Sequence, residues 1–221
     1  CQYMIVNISG APLKIMRNIT TYRKELTAQQ IADDYFHYLD LGVINSCCNK
    51  LYRRNLIGDL RFSTKMKWGE DGSFNLMLFR RMNRMTVISD VGYFYVRYDG
   101  QTTSKRMSNY GDMITQHLHD IFSFIQDYKG FNRETVRSGM GLKCIEVHVD
   151  AVRHCYSFQE YMQLFFYFRL QSWYPYIDQT RRISARWKLI RFLIKTRQAY
   201  PIYYLTNIYQ MIMNCKVSKR T

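Results

Sequence analysis

Apolar residues in this chain follow two different periods, and the change comes near residue 105. Gln2 to Ile8 (QYMIVNI) is a short, nearly continuous apolar run closed by Ser9-Gly10, the pattern of a buried strand. Leu13 to Arg23 keeps no period and reads as an irregular covering segment. Thr27 is placed to cap a helix through Ile31, Tyr35, Tyr38 and Leu39, with Gly42 as its stop. Val43 to Tyr52 mixes extended and turn character, and Arg53 to Ile57 fits one short helical turn. Glu70 to Met82 has helical spacing, with acids at its start and Arg80, Arg81 and Arg84 near its end, which suits the helix dipole. Met85 to Ser89 and Tyr93 to Tyr98 predict two short strands. The Asp99-Gly100 turn and a polar loop, Gln101 to Ser104, follow them.

From Asn109 onward the pattern becomes mostly helical. Met113, His117, Ile121, Phe124 and Ile125 share a stripe that Gly130 ends, and further helices are predicted over about 132–151 and 157–170. In the tail, Ile183, Trp187, Ile190 and Ile194 fall on one helical face, and Lys188, Arg191 and Lys195 on another. The expected class is α/β, with a helical C-terminal region ending in a basic amphipathic tail. The segments are 1–105 (front), 106–180 (helical region) and 181–221 (tail).

Composition fits a folded globular chain: 221 residues, 47% hydrophobic, 16% aromatic, with 3 Pro and 11 Gly. No stretch reaches the roughly 18 uninterrupted apolar residues of a membrane span, and no signal peptide opens the sequence. The chain begins at Cys1 rather than Met, which predicts a piece of a longer polypeptide. The six cysteines (Cys1, Cys47, Cys48, Cys144, Cys155, Cys215) form no CxxC pair and fit reduced thiols. The net charge of +15 is concentrated: no acid follows Asp178, while Arg181, Arg182, Arg186, Lys188, Arg191, Lys195, Arg197, Lys216, Lys219 and Arg220 do. Such a bias calls for an anionic partner. A basic amphipathic helix carrying Arg186, Trp187, Lys188, Arg191 and Lys195 fits an anionic membrane surface. The plain alternative is a helix packed on the domain with solvated charges.

The acids that carry candidate chemistry are few. Gly69-Glu70-Asp71-Gly72 sets two carboxylates at the mouth of the helix predicted from residue 70. They are either first-turn acids or, in a phosphate-rich site, a general base. Asp33-Asp34 lie on a helix, where neighbours diverge by about 100°, a poor arrangement for holding one ion. His148 and His154, six residues apart, share no face and read as structural.

The order of these features resembles a known family. Asn49-Lys50-Leu51-Tyr52-Arg53-Arg54 precedes Arg61-Phe62. Glu70-Asp71 then opens a helix with Phe74-Asn75. A strand, the aromatic run Tyr93-Phe94-Tyr95-Val96-Arg97-Tyr98 and the loop Thr102-Thr103-Ser104 complete the series. Over about 60 residues this is similar to the second half of a bacterial family 2 glycosyltransferase of GT-A type, of the kind that builds capsular, exopolysaccharide or lipopolysaccharide sugars. The resemblance implies a partial GT-A, Rossmann-like front that forms the acceptor side of a catalytic domain. It implies inverting transfer of a sugar, of hexosyltransferase type, from a nucleotide-sugar donor to a saccharide or lipid-linked acceptor. Asp71 would be the base and Glu70 its neighbour. Lys50, Arg53, Arg97, Thr103 and Ser104 would meet phosphates or the acceptor, the loop acting as a lid. Mg²⁺ or Mn²⁺ is expected for the whole enzyme. It would be held by a DxD motif that this chain does not contain, so the metal site and nucleotide-binding half belong upstream and the fragment would be inactive alone. The implied location is cytoplasmic, peripheral on the inner face of the bacterial plasma membrane. The rival expectation is a non-catalytic basic module for nucleic acid or anionic membrane, although no helix-turn-helix, RRM, KH or zinc-finger signature is present.

Overall fold

The computed structural model describes residues 2–6, 12–15, 24–66, 68–88, 90–96, 106–107, 109–128, 133–181 and 183–218. Several expectations fall outside them: the Ser9-Gly10 stop, the stretch 16–23, the Asp99-Gly100 turn, the 101–104 loop and the Gly130 stop. The described residues are mostly helical with two small sheets, and their strands form no doubly wound parallel sheet. Two compact units divide the chain. The first comprises 1–105 and 116–136, the second 106–115 and 137–221.

In the first unit, β1 (Gln2–Val6) is the middle of a three-stranded mixed sheet. It runs antiparallel to β2 (Pro12–Ile15), pairing Met4 with Ile15, and parallel to β5 (Val91–Val96), pairing Tyr3 with Tyr93. Part of the segment expected to be irregular is therefore a strand. Pairing along the sheet supplies the order that local pattern withholds at Leu13-Lys14-Ile15. The two strands predicted in tandem also part company. β4 (Met85–Val87) pairs antiparallel with β3 (Lys24–Leu26) in a separate two-stranded sheet.

Thr27 caps α1 (Ala28–Asp33) with a full capping box. Its hydroxyl accepts from Gln30 N–H at 3.2 Å, and Gln30 Oε1 accepts from Thr27 N–H at 2.8 Å. The helix predicted through Leu39 breaks at Asp34 (φ −122°, ψ 32°) and resumes as α2 (Tyr35–Asp40). The break lets Ile31, Ala32, Tyr35 and Tyr38 all be buried. After a single turn, α3 (Arg54–Ile57), comes α4 (Glu70–Arg81). The core joins Leu76, Leu78 and Phe79 of α4 to Leu118, Ile121, Phe124 and Ile125 of α5 (Tyr110–Asp127). The Phe124 ring lies 6.1 Å from those of both Phe79 and Tyr35. At the edge of this core the Arg80 guanidinium bonds Asp127 at 2.7 Å and Ser123 at 3.1 Å.

The second unit is helical: α6 (Glu134–His154), α7 (Phe158–Arg169), a 3-10 turn (Tyr174–Gln179), α8 (Ala185–Lys195) and α9 (Ala199–Ser218). Ser157 caps α7 through its hydroxyl, which accepts from Glu160 N–H at 3.2 Å. Tyr161, Phe165, Phe168 and Trp173 fill the core around His148. On α8 the stripe that sequence marks for a surface faces inward: Ile194 is fully buried and Ile190 nearly so. Arg191 donates to Thr180 O at 2.7 Å, Lys195 pairs with Asp178 at 2.7 Å, and the Arg186 guanidinium lies over the half-buried Trp187.

His148 is an unusual core residue. Its ring is fully buried between Phe165 and Phe168, 5.1 and 5.3 Å away, and neither ring nitrogen has a hydrogen-bond partner. His154 differs: it stacks on Tyr110 at 4.3 Å, and its Nδ1 accepts from Met107 N–H. Burial, with the Arg169 charge beside it, pushes the His148 pKa down from 6.5 to about 3. The unfolded chain thus takes up a proton below pH 6.5 that the folded chain refuses until about pH 3, so stability is lost as pH falls through that window. From pH 6.5 to 5 this one group removes about 2 kcal/mol. The His148→Leu variant should lose that component. In urea titrations at pH 7.5 and pH 5, the wild-type midpoint should drop further than the variant's, and equal drops would contradict the assignment.

Candidate functional site

The acid pair sits where α4 begins, and two glycines shape the entry. Gly69 takes the left-handed conformation (φ 76°) ahead of the first turn, where a side chain would be strained and a Cβ would lie 3.3 Å from the His117 ring. Gly72 lies closer still: a Cβ there would be 2.7 Å from His117 Cε1. His117, which sequence periodicity places on an apolar stripe, is buried beside this turn and meets the Trp68 ring edge-on at 5.8 Å. Ser73 fixes the turn from within the same unit by donating to Asp120 Oδ2 at 2.6 Å. Glu70 and Asp71 are the first two helical residues, so their charges lie against the partial positive charge of the helix N-terminus.

The segment 43–53 wraps over the first turns of α4 and is held there by the side chains of Asn75 and Asp71. Asn75 is completely buried, one turn after Asp71 on the same face. Its amide nitrogen donates to Ile44 O at 3.0 Å and Ser46 O at 3.2 Å. Its amide oxygen accepts from Tyr52 OH at 2.6 Å and from the Cys47 thiol at 3.7 Å. Held in this way, the loop presents Cys47 N–H to Asp71 Oδ2 at 3.1 Å. Phe74 closes the outer side, stacked on Phe62 at 4.3 Å and edge-on to Tyr52.

Burial sets the protonation states around Asp71. It pushes the Cys47 thiol up to about 11 and the Tyr52 phenol far above its usual value, with the nearby Asp71 charge acting in the same sense. At neutral pH both are therefore hydrogen-bond donors, and neither is a base or nucleophile. Burial also brings Lys50 down to about 8, resisted by the neighbouring Cys47, Cys48 and Asp71. The Lys50 ammonium is held by Ser46 O and by Asn49 Oδ1, the latter at 2.8 Å. The arrangement gathers two protonated donors and a cation that loses its proton just above neutrality near one carboxylate.

A cavity of about 580 Å³ lies in the same unit. Lys50, Tyr52 and Arg53 line it, together with Arg81, Arg84 and Glu25. Arg81 is paired with Asp59 at 2.7 Å and Arg84 with Glu25 at 3.6 Å. Glu70 and Asp71 do not line this cavity, so the acids and the basic wall are separate features linked by the Asn49–Tyr52 strip. Of the residues singled out from sequence, the structure brings Lys50 close to Asp71 and places Arg53 at the cavity. Glu70 has no hydrogen bond or ion pair with a described residue. Arg97, Thr103 and Ser104 lie outside the described residues. Arg186, Trp187, Lys188, Arg191 and Lys195 belong to the second unit.

Among the described residues no three of His, Cys, Asp and Glu come together as a metal site. Asp33 is engaged by Arg133 at 2.9 Å, and Asp34 is the N-cap residue of α2, without a side-chain capping bond. Sequence inspection missed Cys47, Tyr52, His117 and the pivotal role of Asn75. A usable signal existed in Asn75, an amide within an apolar run, four residues after Asp71. Comparison with protein-family models, with curated proteins and with solved structures yields no match.

Replacing Asn75 by Leu keeps the bulk but strips the donor from the buried carbonyl of Ile44, leaves that of Ser46 to Lys50 alone, and removes the acceptor from Tyr52. The expected cost is about 3 kcal/mol, measured as a lowered urea midpoint. A midpoint within error of wild type would show that the loop is held by other means.

Proposed function

We propose that this chain supplies the acceptor side and the catalytic base of an inverting glycosyltransferase, of the family 2, GT-A kind that its motif order resembles. The observation that supports this most is the setting of Asp71: a carboxylate at a helix N-terminus, oriented by Cys47 N–H, among groups that stay protonated at neutral pH. A sugar hydroxyl is a weak nucleophile, and a positioned carboxylate can take its proton as the new bond forms. In this reading the acceptor oxygen bonds the anomeric carbon of the donor while the bond from that carbon to the nucleoside diphosphate breaks. The proton passes to Asp71, and the electron pair leaves with the diphosphate. One base and inversion at carbon suffice, so Glu70 need not act as a nucleophile.

The basic cavity wall supports the same reading. Lys50 and Arg53 offer cations to an anionic portion of donor or acceptor, with Arg97, Thr103 and Ser104 completing the set under this proposal. β1 and β5 pair in parallel, although the chain between them carries three strands as well as four helices and is longer than a single strand–helix–strand unit. That pairing is compatible with the three-stranded sheet being one edge of a larger Rossmann-like sheet. Metal and nucleobase binding would come from outside the described residues, and no step here depends on them.

The test uses the full natural gene product with a panel of UDP-, GDP- and dTDP-sugars and saccharide or lipid-linked acceptors, and follows release of the nucleoside diphosphate. Asp71→Asn should lower turnover by about 10²- to 10⁴-fold while nucleotide binding, followed by calorimetry, is unchanged. Wild-type turnover in that variant would sink the assignment of the base. A wild-type protein that neither binds nor consumes any of these donors would sink the reading as a whole.

A further inference from the structure

α9 is arranged inside out for a helix facing water. Tyr200, Tyr204, Leu205, Ile208, Met211 and Ile212 are each between 42% and 63% exposed. At about 100° per residue these positions fall within one arc of roughly 140°, and no charged or amide side chain interrupts it. The polar residues turn the other way: Thr206 is buried and Asn207 and Gln210 are half-buried, with Asn207 returning a hydrogen bond to Tyr203 O at 3.1 Å. A helix selected for contact with water carries the opposite pattern. α8 packs on α9, with Arg186 over the Tyr209 ring at 4.6 Å, and adds Leu189 and Phe192, which are also exposed and one turn apart.

We infer that this outer face of α9, with Leu189 and Phe192 of α8, is the surface by which the protein lies on an anionic lipid bilayer. Charge selects the occupant. No acid follows Asp178 in the chain, and Asp178 is itself paired with Lys195, whereas Arg186, Lys188 and Arg197 are exposed. A second copy docked on the same face would set cations against cations, while an anionic headgroup layer complements them. Tyr200, Tyr204 and Tyr209 suit the boundary between headgroup and acyl chain, where an apolar ring with a polar tip is favoured. No helix among the described residues is long and apolar enough to cross a membrane, which fits a helix lying in the interface. The face differs from the Ile183–Ile194 stripe of the sequence reading, which packs inward. The inference concerns the second unit and does not rest on the role of Asp71.

Co-sedimentation of the full chain with phosphatidylcholine vesicles, with and without 30% phosphatidylglycerol, tests it. Binding to the anionic vesicles should be at least about tenfold tighter, and should weaken as salt screens the headgroups. The combined Leu205→Gln, Ile208→Gln and Met211→Gln variant should lose at least about tenfold in affinity with its circular dichroism unchanged. Lys188→Gln alone should weaken binding about fivefold. Phe166→Gln, an exposed apolar residue on α7, should leave binding as it was. Equal binding to neutral and anionic vesicles would overturn the inference, as would a triple variant that binds like wild type. So would tighter binding to a short DNA duplex than to vesicles, or a dimer that the same three substitutions abolish in a protein that ignores vesicles.

Discussion

The first unit depends on the buried amide of Asn75. A side-chain amide has two donors and one acceptor oxygen, and here the two ends serve different purposes. The nitrogen satisfies the carbonyl of Ile44 and shares that of Ser46 with the Lys50 ammonium. The oxygen draws in Tyr52 and Cys47. Once the loop is held, the positions of Cys47 N–H against Asp71, of Lys50 between Asp71 and the cavity, and of Arg53 at the cavity wall all follow from chain connectivity. An apolar residue at 75 could fill the same space, but it would leave the loop without a register.

Local signals were legible wherever one residue type has one structural use. Thr27 announces a helix cap and forms one, and the structure adds Gln30 to complete a capping box. The acids and arginines at opposite ends of α4 mark its limits, and the stripe through Ile121, Phe124 and Ile125 is the core face of α5. Legibility ended where the partner is distant in sequence. Nothing near Leu13 indicates that it lies beside β1, and nothing between Met85 and Tyr98 indicates that two adjacent strands join different sheets. The site was half legible for a related reason. A carboxylate pair in a basic chain stands out, whereas Asn75, Tyr52 and Cys47 are ordinary until burial changes what they do.

The tail of the chain shows a different limit. Periodicity identifies a face but not what covers it. Ile190 and Ile194 form a clean stripe on α8, and the protein interior takes it. On α9 apolar residues are so frequent that no single stripe stands out by spacing, and only the fold shows which of them remain outside. The charge asymmetry after Asp178 was readable from sequence, yet several of its members are spent internally, on Thr180, Asp178 and aromatic rings.

The two glycines that bracket the acid pair bear on how this site could vary over generations. At Gly69 the backbone conformation strains any side chain, and at Gly72 the His117 ring occupies the space that one would need. The carboxylates at 70 and 71 are thus framed by two positions closed to ordinary drift for steric reasons alone. In a family of descendants the whole quartet Gly69-Glu70-Asp71-Gly72 would persist together, though for unlike causes: shape at its ends and charge in its middle. Steric shape alone would account for the persistence of two of the four. A descendant that kept both glycines while exchanging the acids would have retained the turn without its carboxylates.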